Sequence, residues 1–266
     1  MASIFAGIDI GASATKVALL DEAGSLLGSS IRRSGVDFAG SAEIGFNEAL
    51  TQAGLEASLV ERVFSCGYGR KNVAFAHDTR TEIACHAAGA YHHFPRALTV
   101  VDIGGQDNKI IKLDEKGARV SFKMNRKCAA GTGAFLEEMA LRLDLDLADF
   151  NQMAQEAKEE ATLGAFCTVF TATEVLGKIR AGVPVEALIK GLFTSVLKRV
   201  SEMDTLENTV VMTGGVVAHN PYLKQMMAAQ LGREVFSPPR PQLTGAEGAA
   251  LLAMRDSEKA SQALPA

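Results

Sequence analysis

The sequence has no long apolar run and no excess of positive charge. No stretch reaches the roughly 18 apolar residues that a membrane-spanning helix needs, and the N-terminal MASIFAGIDIG has no basic region and is interrupted by Asp9. This N-terminus predicts a β-strand and not a signal peptide, and therefore a cytoplasmic protein without a membrane contact. The net charge of −4 argues against a protein dedicated to nucleic-acid binding.

The cysteines are few and widely spaced. The four residues, Cys66, Cys85, Cys128 and Cys167, form no CxxC pair, which excludes the usual zinc and ferredoxin spacings. In a cytosolic protein the simplest interpretation is four free thiols, two or more of them buried like small hydrophobic residues. Cys66 ends a predicted strand and Cys85 lies within a predicted helix, so these two are expected to be packing residues.

The sequence does contain enough apolar residues for a large core. Of the 266 residues, 47% are hydrophobic and 22% are charged, which is typical of a soluble globular protein. This length predicts one large domain or two lobes.

A short segment around Cys128 combines a cysteine, two glycines and the start of a helix. Residues 122–143 have the sequence FKMNRKCAAGTGAFLEEMALRL, in which apolar residues recur at helical spacing from Phe135 onward. We therefore predict that Cys128 lies at or just before a helix N-terminus, where a thiolate has a lowered pKa and can bind metal. Gly131 and Gly133 have no side chains, so the same turn can approach a phosphate closely. The segment thus predicts contact with both a metal and a nucleotide.

The pattern at the start of the chain recurs later. The pattern consists of a strand that ends in Asp-Ile-Gly, a polar tip, a second strand, a charged turn with glycine and a third strand. It occurs first around Asp9 and again around Asp102. The predicted strands are 4–11, 17–20 and 25–32 in the first copy and 97–105, 110–113 and 119–124 in the second. One tip alone is equally well an ordinary hairpin. The repeat, however, suggests duplicated lobes whose tips face across a cleft and hold one Mg²⁺–nucleotide between them.

The remaining elements follow from periodicity and turn residues. The predicted helices are 41–53, 80–92, 135–143, 147–160, 170–181, 185–203, 221–231 and 245–255, and the predicted strands are 61–66, 209–213 and 233–236. Cys167 comes at the start of one of these helices, as Cys128 does. Gly214 and Gly215 follow a strand, where they allow the close approach of adenine or ribose. The tail from residue 256 onward is expected to be frayed.

Three of these motifs resemble the nucleotide motifs of the actin, sugar-kinase and heat-shock-chaperone ATPase superfamily. They are DIGASATK at 9–16, DIGGQD at 102–107 and VVMTGGV at 210–216. Within that superfamily CAAGTG at 128–133, GYGR at 67–70 and CTVF at 167–170 resemble the activator (initiator) component of 2-hydroxyacyl-CoA dehydratases. The ATPase subunits of benzoyl-CoA reductases are close relatives of these activators.

The resemblance implies an α/β fold of two ribonuclease-H-like lobes with a nucleotide cleft between them. The expected lobes are 1–95 and 96–266, with a final helix at 245–256 that can pack back on the first lobe. The family also implies a homodimer that shares one [4Fe–4S] cluster, held by Cys128 and Cys167 of each subunit. ATP hydrolysis drives a low-potential electron from this cluster into a partner dehydratase or related double-subunit reductase, and a reduced ferredoxin or flavodoxin supplies the electron.

The resemblance also implies roles for individual residues in ATP hydrolysis. Asp9 and Asp102 are expected to organise Mg²⁺ through its waters, Lys16 to hold a phosphate, and Gln106 to orient the attacking water. The residues expected to contact ATP are Gly11, Ser13, Ala14, Thr15, Lys16, Gly104, Gly105, Gln106, Gly131, Thr132, Gly214 and Gly215. The link between hydrolysis and electron transfer is expected in the helix after Cys128.

Other functions fit parts of the pattern, and the sequence departs from the family in two places. The alternatives are an ATPase subunit of a benzoyl-CoA-type reductase, a small-molecule kinase of the same superfamily and a non-redox ATPase switch. A kinase needs a catalytic Asp and a substrate pocket but not Cys128 and Cys167. The family often has FAESEV where this chain has FTATEV at 170–175, which leaves the role of Glu174 open. Arg126 and Lys127 make the approach to Cys128 more basic than usual.

Overall fold

Two five-stranded sheets organise the chain in the computed structural model, which describes residues 3–164 and 167–263. The first part of the chain forms β1 (Ile4–Ile10), β2 (Ala14–Leu20), β3 (Leu26–Arg33), α1 (Phe38–Ala53), β4 (Val60–Gly67), β5 (Asp78–Thr79) and α2 (Glu82–His93). The middle part forms β6 (Leu98–Ile103), β7 (Asn108–Leu113), β8 (Arg119–Asn125), α3 (Gly133–Leu143), α4 (Phe150–Glu156), α5 (Thr168–Arg180) and α6 (Val185–Ser201). The last part forms β9 (Thr209–Thr213), α7 (Gly215–His219), α8 (Tyr222–Leu231), β10 (Val235–Phe236) and α9 (Thr244–Ala263).

The two sheets have the same strand order. The first is β3-β2-β1-β4-β5 and the second is β8-β7-β6-β9-β10. In the first sheet β1 pairs antiparallel with β2 and parallel with β4, and in the second β6 pairs parallel with β9. The central strands β1 and β6 are buried along their whole length, which is why both are mostly apolar, with Asp9 in β1 and Thr99 and Asp102 in β6 as the exceptions. The repeat in the sequence is therefore a repeat of sheet topology.

The chain divides into two compact units. Unit 1 contains the residues up to Ala97, Leu113–Val120 and the residues from Gln242 onward, and unit 2 contains Leu98–Lys112 and Ser121–Pro241. These bounds differ from the expected lobes 1–95 and 96–266 in two segments. The turn at 113–120 belongs to unit 1 because the Tyr91 hydroxyl donates to the Glu115 carbonyl at 2.7 Å. The C-terminal segment belongs there because α9 packs on β1, β4 and α2.

Glycines allow this close packing of α9. A Cβ at Gly7 of β1 would overlap the backbone of α9 at Ala246 and Ala250. A Cβ at Gly248 of α9 would overlap the Cys85 carbonyl of α2. Backbone thus meets backbone on both faces of this helix, and its small residues Ala246, Ala249 and Ala250 are fully buried.

Several predicted boundaries were wrong. The helix expected at 147–160 is limited to α4, Phe150–Glu156, after a short 3-10 turn. The final helix extends through the tail that was expected to fray and ends at Ala263. The short helix α7 was not predicted. Ala165 and Phe166, within the segment before Cys167, lie outside the described residues. No helix among the residues that the structure describes is long and apolar enough to span a membrane.

Candidate functional site

The tip of unit 1 is the tight turn between β1 and β2. The Gly11 N–H donates to the Ala14 carbonyl at 3.0 Å and closes the turn. Below it, Asp9 lies opposite Lys16 in the antiparallel register, and Lys16 Nζ is 3.0 Å from Asp9 Oδ2. Asp9 is buried and Lys16 is partly exposed. This geometry presents an ammonium group at the tip, held by the carboxylate beneath it.

The GYGR motif supports this tip. Gly67 has φ +86°, and a Cβ there would overlap the Asp9 carboxylate and the Ile10 carbonyl. The Gly69 N–H donates to the Ile10 carbonyl at 2.9 Å. The two glycines are therefore required because this backbone passes directly against the end of β1.

The predicted ATP contacts in this tip differ in their surroundings. Ser13 is exposed and Ala14 is half-buried. Thr15 is fully buried, and its hydroxyl is 3.0 Å from both the Ser34 and the Ser41 hydroxyls. Thr15 therefore connects β2 to α1 and the segment before it. The exposed backbone at Ala12 and Ser13, together with Lys16, forms the part of the tip that is open to a ligand.

The tip of unit 2 has the same construction. The Gly104 N–H donates to the Asp107 carbonyl at 2.9 Å, as Gly11 does to Ala14. Lys109 Nζ is 3.0 Å from Asp102 Oδ2 and 2.6 Å from Asp107 Oδ1. The second oxygen of Asp102, Oδ1, accepts a hydrogen bond from the Thr213 hydroxyl at 2.9 Å. Gln106 is exposed at the apex of the turn.

Lys109, Asp107 and Thr213 were missed as site residues in the sequence analysis. The signal for Lys109 was present, since Asp102 and Lys109 have the same seven-residue spacing as Asp9 and Lys16. Thr213 can be recognised as a site residue only from the pairing of β6 with β9, which places it opposite Asp102.

Cys128 lies in the loop just before α3. The helix begins at Gly133, two residues before the predicted start at Phe135, with Thr132 as its N-cap residue. Gly131 has φ +83°, a conformation that interrupts the helix there. The Thr132 hydroxyl donates to the Ala129 carbonyl at 2.6 Å, which closes a turn within the loop.

The first turn of α3 is bonded directly to the tip of unit 2. The Gly133 N–H donates to the Gly104 carbonyl at 2.9 Å, and the Ala134 N–H donates to the Gly105 carbonyl at 2.8 Å. The buried Asn108 side chain donates to the Gly131 carbonyl at 2.8 Å. Two hydrogen bonds thus join the start of α3 to the tip, and a third joins the loop that carries Cys128 to the start of β7.

Asn125 fixes the other end of this loop. Its side-chain N–H donates to the Cys128 carbonyl at 3.0 Å, and its side-chain oxygen accepts from the Lys127 N–H at 3.3 Å. The backbone at Cys128 is therefore held from both sides, by Asn125 at the end of β8 and by Asn108 at the start of β7.

The glycine pair after β9 lies against the end of β6. Gly214 has φ +97°, and a Cβ there would overlap the Ile103 carbonyl. Its N–H donates to the Pro241 carbonyl at 3.0 Å. Gly215 is half-buried and begins α7. Within unit 2 the structure therefore brings Gly214 and Gly215 to the strand end that carries the Gly104 turn.

The four cysteines fall into two groups. Cys66 and Cys85 are fully buried in the core of unit 1, as the sequence predicted, whereas Cys128 is half-buried and Cys167 is exposed. A hydrogen bond with Cys85 and burial raise the pKa of the Cys66 thiol well above its usual range, so this thiol is a poor metal ligand at neutral pH. Cys167 is the N-cap residue of α5, as predicted, and α5 packs against α3.

Two sheets of one topology, each with an aspartate–lysine pair below a tight turn, define a two-lobed α/β ATPase of the actin and sugar-kinase type. The model of the BadF/BadG/BcrA/BcrD ATPase family matches residues 6–253. The chain belongs to this family, and it is an ATP-hydrolysing enzyme.

Curated relatives cover nearly the whole chain. The 2-hydroxyisocaproyl-CoA dehydratase activator of Clostridioides difficile is 37% identical over 259 residues, which are 96% of each chain. The (R)-2-hydroxyglutaryl-CoA dehydratase activating ATPase of Acidaminococcus fermentans is 35% identical and covers 95% of this chain and 98% of its own.

Solved structures agree with the predicted fold class. The activator of the 2-hydroxyisocaproyl-CoA dehydratase from Clostridium difficile with bound ADPNP superimposes with a TM-score of 0.91 at 34% identity, covering 100% of this chain and 99% of that one. A ROK family glucokinase from Streptomyces griseus has a TM-score of 0.57 at 13% identity, covering 96% and 100%, which shows a common fold alone. The predicted two-lobed α/β fold is confirmed.

Proposed function

We propose that this ATPase is an electron-transfer activator of a 2-hydroxyacyl-CoA dehydratase or a related double-subunit reductase. It acts as a homodimer that shares one [4Fe–4S] cluster, with ferredoxin or flavodoxin as the electron donor. One observation carries the proposal. Of the four cysteines, the two accessible ones, Cys128 and Cys167, each precede a helix of unit 2. The loop of Cys128 is also hydrogen-bonded next to the tip of that unit. A small-molecule kinase has no use for this arrangement, and the likeness to glucokinase is one of fold.

The donor set of one chain fits half of such a cluster. A [4Fe–4S] cluster takes four thiolates, and Cys128 and Cys167 provide two that are accessible. Among residues 3–164 and 167–263, no group of three or more His, Cys, Asp or Glu side chains is placed to hold a metal ion. A two-fold axis supplies the missing pair without any further residue. A cluster held by these cysteines would supply one-electron chemistry to the partner enzyme.

Each of the two tips offers groups that can bind a nucleotide phosphate. Lys16 and Lys109 provide positive charge, and the Gly104 and Gly11 turns provide backbone without side chains. Asp9 and Asp102 carry the carboxylates for Mg²⁺, but each already pairs with a lysine. Bound Mg²⁺ would therefore need ligands besides these two carboxylates, and phosphate oxygens and water suit this ion. Gln106, exposed at its tip, orients the attacking water.

Hydrolysis is coupled to the cluster through the first turn of α3. Gly104 and Gly105 of the tip accept from the N–H groups of Gly133 and Ala134, so a change at the phosphates moves the start of the helix. Asn108 transmits the same change to Gly131. The loop at 126–132, which Asn108 and Asn125 hold, then moves Cys128.

The iron content of the anaerobically purified protein tests this function. We expect a brown dimer with about two irons per chain, since one four-iron cluster is divided between two chains. Cys128→Ser and Cys167→Ser should each lose iron and weaken the dimer, as measured by iron analysis and by size-exclusion chromatography with light scattering.

Cys66→Ala and Cys85→Ala are the matched controls. Both remove a thiol from the core of unit 1, so they should retain iron even where they lower stability. About four irons per chain in a monomer would rule out the shared cluster. Loss of iron from a folded Cys85→Ala protein would show that the ligands were chosen wrongly.

A further inference from the structure

The segment that leads to Cys128 is basic in an acidic chain. From Arg119 to Lys127 the sequence contains four cations and no Asp or Glu, although the whole chain has a net charge of −4. The cations are Arg119, Lys123, Arg126 and Lys127. The next acidic residue after them is Glu137. Positive charge is therefore concentrated on the approach to one proposed cluster ligand.

This segment is on the surface. β8 is the edge strand of its sheet, and its residues from Arg119 to Lys123 are exposed. The Lys123 side chain is 57% exposed, and its nearest carboxylate, Asp204, is 3.6 Å away and also pairs with Lys112. Arg126 and Lys127 are exposed in the loop itself. Because Asp204 is shared between Lys123 and Lys112, it does not neutralise the segment, which therefore keeps a positive charge.

Protection of an edge strand explains only part of this pattern. Lysines on an edge strand prevent pairing with other chains, and this accounts for Lys123. Arg126 and Lys127 come after the end of β8, where no strand edge needs protection. They are also held in place, because Asn125 accepts from the Lys127 N–H and donates to the Cys128 carbonyl.

We propose that Lys123, Arg126 and Lys127 form the docking surface for an acidic one-electron carrier protein. This rests on the proposed function, which requires a ferredoxin or flavodoxin to come close to the group held by Cys128. A basic surface beside the acceptor steers an acidic carrier to the correct place and raises its association rate. The fixed Asn125–Cys128 turn keeps these charges at a constant position relative to the cysteine.

Binding of the carrier to two matched variants tests the proposal. The test variant is Lys123→Glu with Arg126→Glu and Lys127→Glu. The control is Lys71→Glu with Lys158→Glu and Lys259→Glu, three lysines that are also exposed. Each variant changes the net charge from −4 to −10, because every replacement changes the charge by two. The probe is an acidic bacterial ferredoxin, and the readout is its Kd by calorimetry at low salt.

We expect the test variant to weaken binding more than tenfold and the control less than threefold. Wild-type binding should weaken between about 0.01 M and 0.15 M salt, since the Debye length falls from about 30 Å to about 8 Å. Equal loss in both variants would show only a net-charge effect and would overturn the proposal. Unchanged ferredoxin binding with loss of dehydratase binding would assign the surface to the electron acceptor instead.

Iron content and dimer mass are measured first, which separates the two proposals. Absence of iron in the wild type contradicts the proposed function, whereas the Kd comparison concerns the docking surface. A monomeric test variant would show that the segment is a contact between copies. If that variant does not fold, Arg126→Gln with Lys127→Gln, both on an exposed loop, should still weaken binding severalfold.

Discussion

The two aspartate–lysine pairs, which we propose to be part of the nucleotide site, are not equivalent. The Lys109 side chain is 5% exposed and has two carboxylate partners, whereas the Lys16 side chain is 16% exposed. Asp102 is the more constrained aspartate, since one oxygen faces Lys109 and the other faces Thr213. It is therefore the residue at which loss of charge is expected to be most informative.

Asp102→Asn should lower ATP turnover by more than tenfold. The amide keeps the shape of the side chain but removes the charge that pairs with Lys109 and that, in the proposed function, would organise Mg²⁺. Phosphate release measures the rate, and the iron spectrum should be unchanged. Asp149→Asn, an exposed aspartate at the start of α4, is the control and should keep the wild-type rate. Full turnover by Asp102→Asn would remove Asp102 from the site.

The sequence predicts the chemical roles of these residues better than it predicts which residues they contact. Asp9, Lys16 and Asp102 could be found because a repeated motif carries them. Thr213 and Asn108 could not be found this way, since their contacts depend on strand pairing and on a loop that returns from a distant part of the chain. Burial divides the cysteines as expected, because an apolar strand and a helix interior predict burial of Cys66 and Cys85.

Among the elements, α3 and the loop before it connect the tip to the cysteine. The helix starts at Gly133, two residues before the predicted Phe135, because the left-handed conformation of Gly131, after which the helix can begin, is not visible in a sequence. In the coupling that we propose, the hydrogen bonds from the start of α3 and from Asn108 are the connection between the tip and the loop. Asn108 takes part in this connection through its side chain, which donates to the Gly131 carbonyl.

Asn108→Ala should weaken this coupling. It leaves the buried Gly131 carbonyl without its donor, which costs about 1–3 kcal/mol, and it disconnects the loop from β7. We expect the rate of iron removal by a chelator to differ between ADP and ATP in the wild type and to become nearly equal in the variant. Asn125→Ala is the comparison: it should change the rate with both nucleotides and keep their ratio. An unchanged ratio in Asn108→Ala would contradict the coupling path.

At the scale of the whole molecule, the residues that complete unit 1 come from opposite ends of the described chain. The repeat predicts two similar sheets, and the two sheets do have the same strand order. It cannot predict that residues from Gln242 onward return to unit 1, since that depends on which helix fits the glycine-lined faces of β1 and α2. The sequence indicates that a last helix at 245–256 can pack back, whereas α9 extends over Thr244–Ala263.

Gly248→Ala tests the importance of this packing. The new Cβ would overlap the Cys85 carbonyl, so we expect a loss of about 1–3 kcal/mol or more in the free energy of unfolding. Gly177→Ala is the control, because a Cβ there meets nothing within 4 Å. It should be neutral or stabilising by up to about 1 kcal/mol in its helix. Urea denaturation measures both, and equal stabilities would show that α9 tolerates a wider spacing.

The position of α9 also sets the order of events during synthesis. It leaves the ribosome roughly 230 residues after β1, which at about 5–20 residues per second is a delay of roughly 10 to 45 seconds. During that time one face of β1 has no covering helix, and by the end of it all residues of unit 2 have been made. A chaperone that binds exposed apolar strands should therefore associate with nascent unit 1 and leave only when the last helix arrives.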